Sequence, residues 1–224
     1  MQATTSETVL TCRALLLDMD GTLVNSDAVV ERVWRAWAER HGLKGDAIMG
    51  VVHGRQGYAT MAALLPERPM AENYAENERM LAQETADTEG VVPVPGAAAF
   101  LAALTGLPHA LVTSADSALA TARMGAASLP LPAARITAED VSASKPDPEG
   151  FLKGAARLGF APEDCVAFED SDAGIAAARA AGMRVVGVGP RAAALAPTAH
   201  VRDLTQVAVE PDAATGSLTL RFTA

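Results

Sequence analysis

Apolar residues arrive along this chain in short blocks, each closed by polar residues, and between the blocks they recur at three- and four-residue spacing. ALLLDMD from Ala14, HALVTS at 109 to 114, CVAFED at 165 to 170 and MRVVGVG at 183 to 189 have the length and unbroken hydrophobicity of buried strands. PGAAAFLAALTG, entered at Pro95 and left at Gly106, and DPEGFLKGAARLG, from Asp147 to Gly159, read as helices between them, with proline near the start and glycine past the end. Strand and helix alternate from Arg13 onward without a fixed-period repeat or low-complexity tract. The alternation predicts an α/β fold, a parallel sheet with helices on both faces. Ligands of such sheets bind in the crevice at the carboxyl ends of the strands.

The interval from Asp27 to Gly90 breaks the pattern. It holds no convincing strand, while DAVVERVWRAWAERHG places Val30, Val33, Trp34, Trp37, Ala38 and His41 on one stripe of an amphipathic helix. The segments that follow, to about Glu89, are helical in character. The spacing therefore predicts an all-helical insertion at 27–90 that sits as a lid over a discontinuous core of residues 1–26 and 91–224. Its two linkers, near 24–27 and 88–93, contain Gly90 and Pro93, residues suited to a hinge. The two tryptophans read as core of the insertion. At the other end of the chain, VAVEPDAATGSLTLRF alternates Val207 and Val209, then Leu218, Leu220 and Phe222, across a glycine-containing turn, and reads as an edge hairpin without chemistry.

Composition narrows the class of partner. Half of the 224 residues are apolar, enough for a substantial core, and the formal charge is −9. That balance argues against nucleic acid and anionic membranes, which reward clustered Lys and Arg. The segment MQATTSETVLTC lacks the basic-then-apolar pattern of a leader, and no apolar run approaches the roughly 18 residues of a membrane span. Cys12 and Cys165 read as small buried hydrophobes in a reducing compartment. The expectation is a cytoplasmic protein with no obligate protein partner.

The polar residues at the strand ends carry the candidate chemistry. Asp18 closes the first strand, where a carboxylate can act as a nucleophile toward phosphorus, and Asp20, two residues on, can protonate a departing alkoxide and later deprotonate water. An Asp-rich turn is the plainer alternative. Thr113 and Ser114 offer a hydroxyl and backbone N–H groups to a phosphoryl oxygen, or else cap a helix. Lys145, fixed between Ser144 and the prolines of KPDP, can place an ammonium beside a phosphate, or else lie solvated in a loop. Glu169 and Asp170 at another strand end would repel Asp18 unless a cation lies between them, and hard oxygen donors suit Mg²⁺. An N-cap for DAGIAAARAAG explains one of those acids and leaves the other over. In the insertion, His53, Arg55 and Gln56 follow a helix expected to end at Gly50.

In order along the chain, DMDGT, the strand-ending Thr113, KPDP and EDSDAG resemble the four motifs of the haloacid dehalogenase superfamily. The helical insertion looks like that superfamily's small helical cap, on a Rossmann-like core. ERVWRAWAERHGL, HGR at 53–55, VPVPG, VTSAD and FEDSDAGIAAARAAG further resemble its sugar and polyol phosphatases. The resemblance implies Asp18 as nucleophile and metal ligand, and Asp20 as acid/base that lends its main-chain carbonyl to the metal. It implies Thr113 and Lys145 on the phosphoryl group, Asp170 as the direct Mg²⁺ ligand, and Glu169 as a ligand or a partner that orients bound water. HGR resembles the cap loop that faces the substrate. The expected partner is a small phosphorylated sugar or polyol. Two alternatives stand beside phosphatase: a phosphomutase on the same core, and a non-catalytic phosphate-binding protein.

Overall fold

The computed structural model describes residues 9–223; the first eight residues of the segment searched above for a leader lie outside it. The chain forms a six-stranded parallel sheet in the order β6-β5-β2-β7-β8-β9, built from β2 (Ala14–Leu17), β5 (His109–Val112), β6 (Arg135–Ile136), β7 (Cys165–Glu169), β8 (Arg184–Val188) and β9 (Ala199–Val201). The four strands anticipated from the sequence are β2, β5, β7 and β8. The outer pair, β6 and β9, are too short, at two and three residues, to leave a periodic signal. Period-two alternation divides the sheet's side chains between two layers. Leu15, Leu17, Val166 and Phe168 enter one apolar cluster, and Ala14, Leu16, Cys165 and Ala167 the other. Both cysteines are buried and unpaired, and burial pushes their thiols up, to about 12 for Cys12 and about 11 for Cys165.

Helices α5 (Ala97–Ala103), α6 (Ser117–Ala126), α7 (Glu149–Leu158), α8 (Asp172–Ala180) and the single turn α9 (Gly189–Ala192) connect these strands. Gly159 ends α7 at φ +79°, the left-handed closure expected of a glycine there. Between Asp27 and Ala86 lie four helices, α1 (Asp27–Arg40), α2 (Gly45–Val52), α3 (Gly57–Leu64) and α4 (Met70–Ala86). The inward stripe of α1 is Val29, Val33, Trp34, Trp37 and Ala38, and Trp34 and Trp37 pack edge to face. Helix α2 runs two residues beyond the expected stop at Gly50, because Val52 still has an apolar surface to cover. The segments that join this insertion to the sheet pair with each other as a short antiparallel ribbon, β3 (Val24–Asn25) against β4 (Val92–Pro93).

The tail is a hairpin, β10 (Val207–Asp212) and β11 (Ser217–Phe222), with Leu218, Leu220 and Phe222 turned inward. It is not an edge of the parallel sheet. β11 pairs with β1 (Val9–Cys12), and the three strands make a separate antiparallel sheet. No helix among the described residues is long and apolar enough to cross a membrane.

Candidate active site

Strand order fixes where the site must form. From β2 the chain proceeds through β5 to β6, then returns to β7 on the other side of β2 and proceeds through β8 to β9. The direction reverses between β2 and β7, and a crevice opens outside the carboxyl ends of strands at such a switch. Register places the chemistry there: Leu17 lies opposite both Leu111 and Phe168, so Asp18, Val112 and Glu169 come level at one end of the sheet.

Lys145 enters this crevice from the loop before α7. Its ammonium donates to Asp18 Oδ1 at 2.6 Å, to Glu169 Oε1 at 2.7 Å and to the Val112 carbonyl at 3.1 Å. All three of its hydrogens are engaged, and Asp18, Lys145 and Glu169 are buried. Glu169 Oε2 accepts from the backbone N–H groups of Asp170 and Ser171 and from the Ser171 hydroxyl, at 2.8 to 2.9 Å. Both oxygens of Glu169 are thus occupied. Asp170 Oδ2 accepts from Arg191 Nε and Nη2, and Arg191 Nη1 reaches Asp27 at the start of α1. Carboxylate oxygens of Asp18, Glu169 and Asp170 lie within 4.8 Å of one another.

Three buried acids around one lysine and one arginine are poorly compensated. Burial, and next the charge of Glu169, hold the Asp18 carboxyl well above the usual carboxylate range and push Asp170 up to about 7. Burial would lower Lys145, but Asp18 and Glu169 beside it hold its ammonium above the ordinary lysine range. A divalent cation is the natural complement of this charge, and carboxylate oxygens are the hard donors it takes. Asp18 Oδ2 and Asp170 Oδ1 have no hydrogen-bond partner among the described residues.

Asp20 stands apart from that cluster. Its Oδ1 accepts from the Ser26 hydroxyl at 2.7 Å and its Oδ2 from Arg123 Nη1 at 2.8 Å. It lines a cavity of about 80 Å³ between sheet and insertion, together with Trp34, His53, Arg55, Glu84 and Arg123. Gln56 does not join His53 and Arg55 there. Its backbone N–H donates to Ser144 Oγ at 2.8 Å, and it lines a separate small cavity with Thr113 and Lys145. Ser114 donates to the Gly54 carbonyl at 3.0 Å, so its hydroxyl fastens the insertion to the sheet. Thr113 is buried, its hydroxyl accepting from the Ala115 N–H. Gly54 itself, at φ +80°, leaves no room for a β-carbon, which would fall 2.1 Å from Ser171 Oγ. Burial, and next the Arg191 charge, lower the His53 pKa.

Sequence reasoning missed Ser26, Glu84, Arg123 and Arg191. For Arg123 a signal existed, since it shares one face of α6 with the buried Leu119, Ala120 and Met124. A charged residue on an apolar stripe needs a buried partner, and here it has two.

Comparison with known proteins agrees with the geometry. A family model described as haloacid dehalogenase-like hydrolase matches residues 12–182. Hexitol phosphatase A of Escherichia coli is 41% identical over 179 residues, covering 79% of this chain and 83% of its own. Glycerol-1-phosphate phosphohydrolase 1 of Saccharomyces cerevisiae is 32% identical over 199 residues, 84% of this chain and 79% of its own. CbbY from Rhodobacter sphaeroides in complex with phosphate superposes with a TM-score of 0.70 over 87% of this chain and 96% of that one, at 21% identity, a likeness of fold. With the family model matched from Cys12 to Gly182, across the strands and loops that bring Asp18, Lys145, Glu169 and Asp170 together, and with a relative 41% identical along most of both chains, the chain belongs to the haloacid dehalogenase-like hydrolases.

Proposed function

We propose that this protein is a Mg²⁺-dependent phosphatase of small phosphorylated sugars or polyols, and that it works through an aspartyl phosphate on Asp18. The observation that carries the reading is the buried meeting of Asp18, Lys145, Glu169 and Asp170 at the switch point, with Asp20 facing the adjoining cavity. Relatives named hexitol phosphatase and glycerol-1-phosphate phosphohydrolase support the substrate class. An acidic chain with no basic cluster suits a small anion held locally better than a polymer, and a cytoplasmic setting fits a substrate of that kind.

Asp18 and Asp170, with the main-chain carbonyl of Asp20, would hold Mg²⁺, which when bound offsets charge between the acids and the phosphoryl oxygens. Glu169, with both oxygens occupied, instead orients Lys145 and the loop that carries Asp170. An Asp18 oxygen attacks phosphorus, and the bond from phosphorus to the leaving oxygen breaks. Asp20 gives its proton to the departing alkoxide, then takes one from the water that attacks the aspartyl phosphate, and inorganic phosphate leaves with Asp18 regenerated. Lys145 and Thr113 steady the phosphoryl group during transfer. Residues 27–90 act as a cap on the core, closing the site against bulk water.

Phosphate release from a sugar or polyol phosphate is expected to fall at least about 100-fold in excess EDTA and to return with Mg²⁺. Undiminished turnover in the chelator would refute the metal assignment. Isomerisation of the sugar phosphate without phosphate release would establish the mutase alternative instead. Arg55 lines the cavity beside Asp20, so Arg55→Ala should depress kcat/KM for a sugar phosphate about tenfold more than for p-nitrophenyl phosphate. Equal losses would place Arg55 outside substrate recognition.

A further inference from the structure

Arg123 is costly where it stands. It is 4% exposed on the apolar side of α6, and a buried ion pair repays its desolvation only if every donor finds a partner. Nη1 reaches Asp20 Oδ2 and Nη2 reaches Glu84 Oε2, each at 2.8 Å, but Nε is buried with no partner among the described residues. Glu84 comes from the last turn of α4 on the other side of the cavity and is 7% exposed. Its second oxygen, Oε1, likewise has no hydrogen-bond partner among the described residues. Arg123 from the core and Glu84 from the insertion thus line one cavity, with Asp20 beside them.

We propose that Arg123 and Glu84 are the specificity-determining pair for the leaving group, an ion pair across the core–cap boundary that recognises the hydroxyls of a polyol or sugar. The assignment rests on the phosphatase reading above and names the half of the substrate that the phosphoryl site does not see. A hydroxyl is both donor and acceptor, so in that cavity it can take a remaining guanidinium hydrogen of Arg123 and give its own to Glu84 Oε1. A leaving group without hydroxyls would leave Glu84 Oε1 without a donor, and a site built to hydrogen-bond a substrate hydroxyl discriminates steeply against an analogue that lacks it. The size of the space agrees. At about 80 Å³, and with roughly 10–15 Å³ needed per water, it holds the equivalent of about half a dozen waters, which suits a few hydroxylated carbons. Arg123 also acts as a positioning residue, since its other nitrogen holds Asp20. Glu84 touches Arg123 and not Asp20, which makes it the cleaner probe.

The experiment compares wild type, Glu84→Gln and Glu84→Ala on glycerol phosphate, a hexitol phosphate and p-nitrophenyl phosphate, with Tm as the check on folding. Glu84→Gln removes the charge at nearly constant volume. The ratio of kcat/KM for the polyol phosphates to that for the aryl phosphate should fall at least about tenfold, chiefly through KM. Glu84→Ala should lower the same ratio and, by enlarging the cavity, favour the hexitol phosphate over the glycerol phosphate relative to wild type. In wild type, free sorbitol should inhibit aryl phosphate hydrolysis competitively, and this inhibition should weaken about tenfold in Glu84→Gln. An unchanged ratio, or equal losses on all substrates with unaltered sorbitol inhibition, would overturn the pair as a selector and leave it a structural clamp. Wild-type protein that releases phosphate from none of the three would refute the phosphatase reading itself, and the selector with it.

Discussion

Asp18→Asn is expected to bring kcat below about one per cent of wild type, because the amide cannot form the covalent phosphoryl bond. Single-turnover phosphate release measures this directly, and a variant that keeps more than that fraction would exclude Asp18 as nucleophile. The same variant makes a second, opposite prediction for stability. Burial and Glu169 hold the Asp18 carboxyl above its ordinary range. An acid whose folded pKa is raised resists ionisation in the folded state, so the protein loses stability as pH climbs through that raised value. Asn carries no charge to resist. Metal-free Asp18→Asn should therefore melt at or above the wild-type Tm at neutral pH, and the difference should shrink in acid, where wild-type Asp18 is protonated. Thermal melts in EDTA at both pH values check the sign.

Lys145→Ala should be the most damaging change outside the acids. The ammonium bridges Asp18 and Glu169 at 2.6 and 2.7 Å with its side chain 6% exposed. Its loss leaves two buried carboxylates facing each other without that counter-charge. Breaking a buried pair by removing one partner costs about 3–5 kcal/mol, which for a chain of this size lowers Tm by on the order of 10 °C. Activity should fall at least about 100-fold, and equally for a polyol phosphate and for p-nitrophenyl phosphate, if Lys145 meets the phosphoryl group common to both as proposed. A substrate-dependent loss would move Lys145 out of the phosphoryl site and into the cavity.

The parts of this molecule that were legible in the sequence are those whose signal is local. Leu15 to Leu17 run unbroken into Asp18, and strand-end acids announce themselves because a buried strand offers few other reasons to finish in Glu169-Asp170. The α1 stripe was equally readable, for Trp34 and Trp37 repeat at helical spacing. What escaped depends on the third dimension. Arg123 and Glu84 are 39 residues apart and meet only when the insertion folds back on α6. Adjacency in sequence groups Gln56 with His53 and Arg55, whereas in three dimensions it lines a separate cavity beside Thr113 and Lys145. The short strands β6 and β9 owe their pairing to the sheet beside them rather than to any pattern of their own.

The antiparallel sheet of β1, β10 and β11 bears on how the molecule is made. Val9 pairs with Arg221 and Cys12 with Leu218, so the first described strand has no partner until almost all of the chain has emerged from the ribosome. Closing so long a loop carries an entropic cost that grows only slowly with length but must be met before the contacts form. During synthesis, Leu10 and Cys12 stay exposed along an unpaired edge while the parallel sheet assembles beside them, a state open to wrong pairing with another nascent chain. Vectorial synthesis thus places the β10–β11 hairpin after every strand of the parallel sheet, and its arrival covers the edge that β1 leaves open until then.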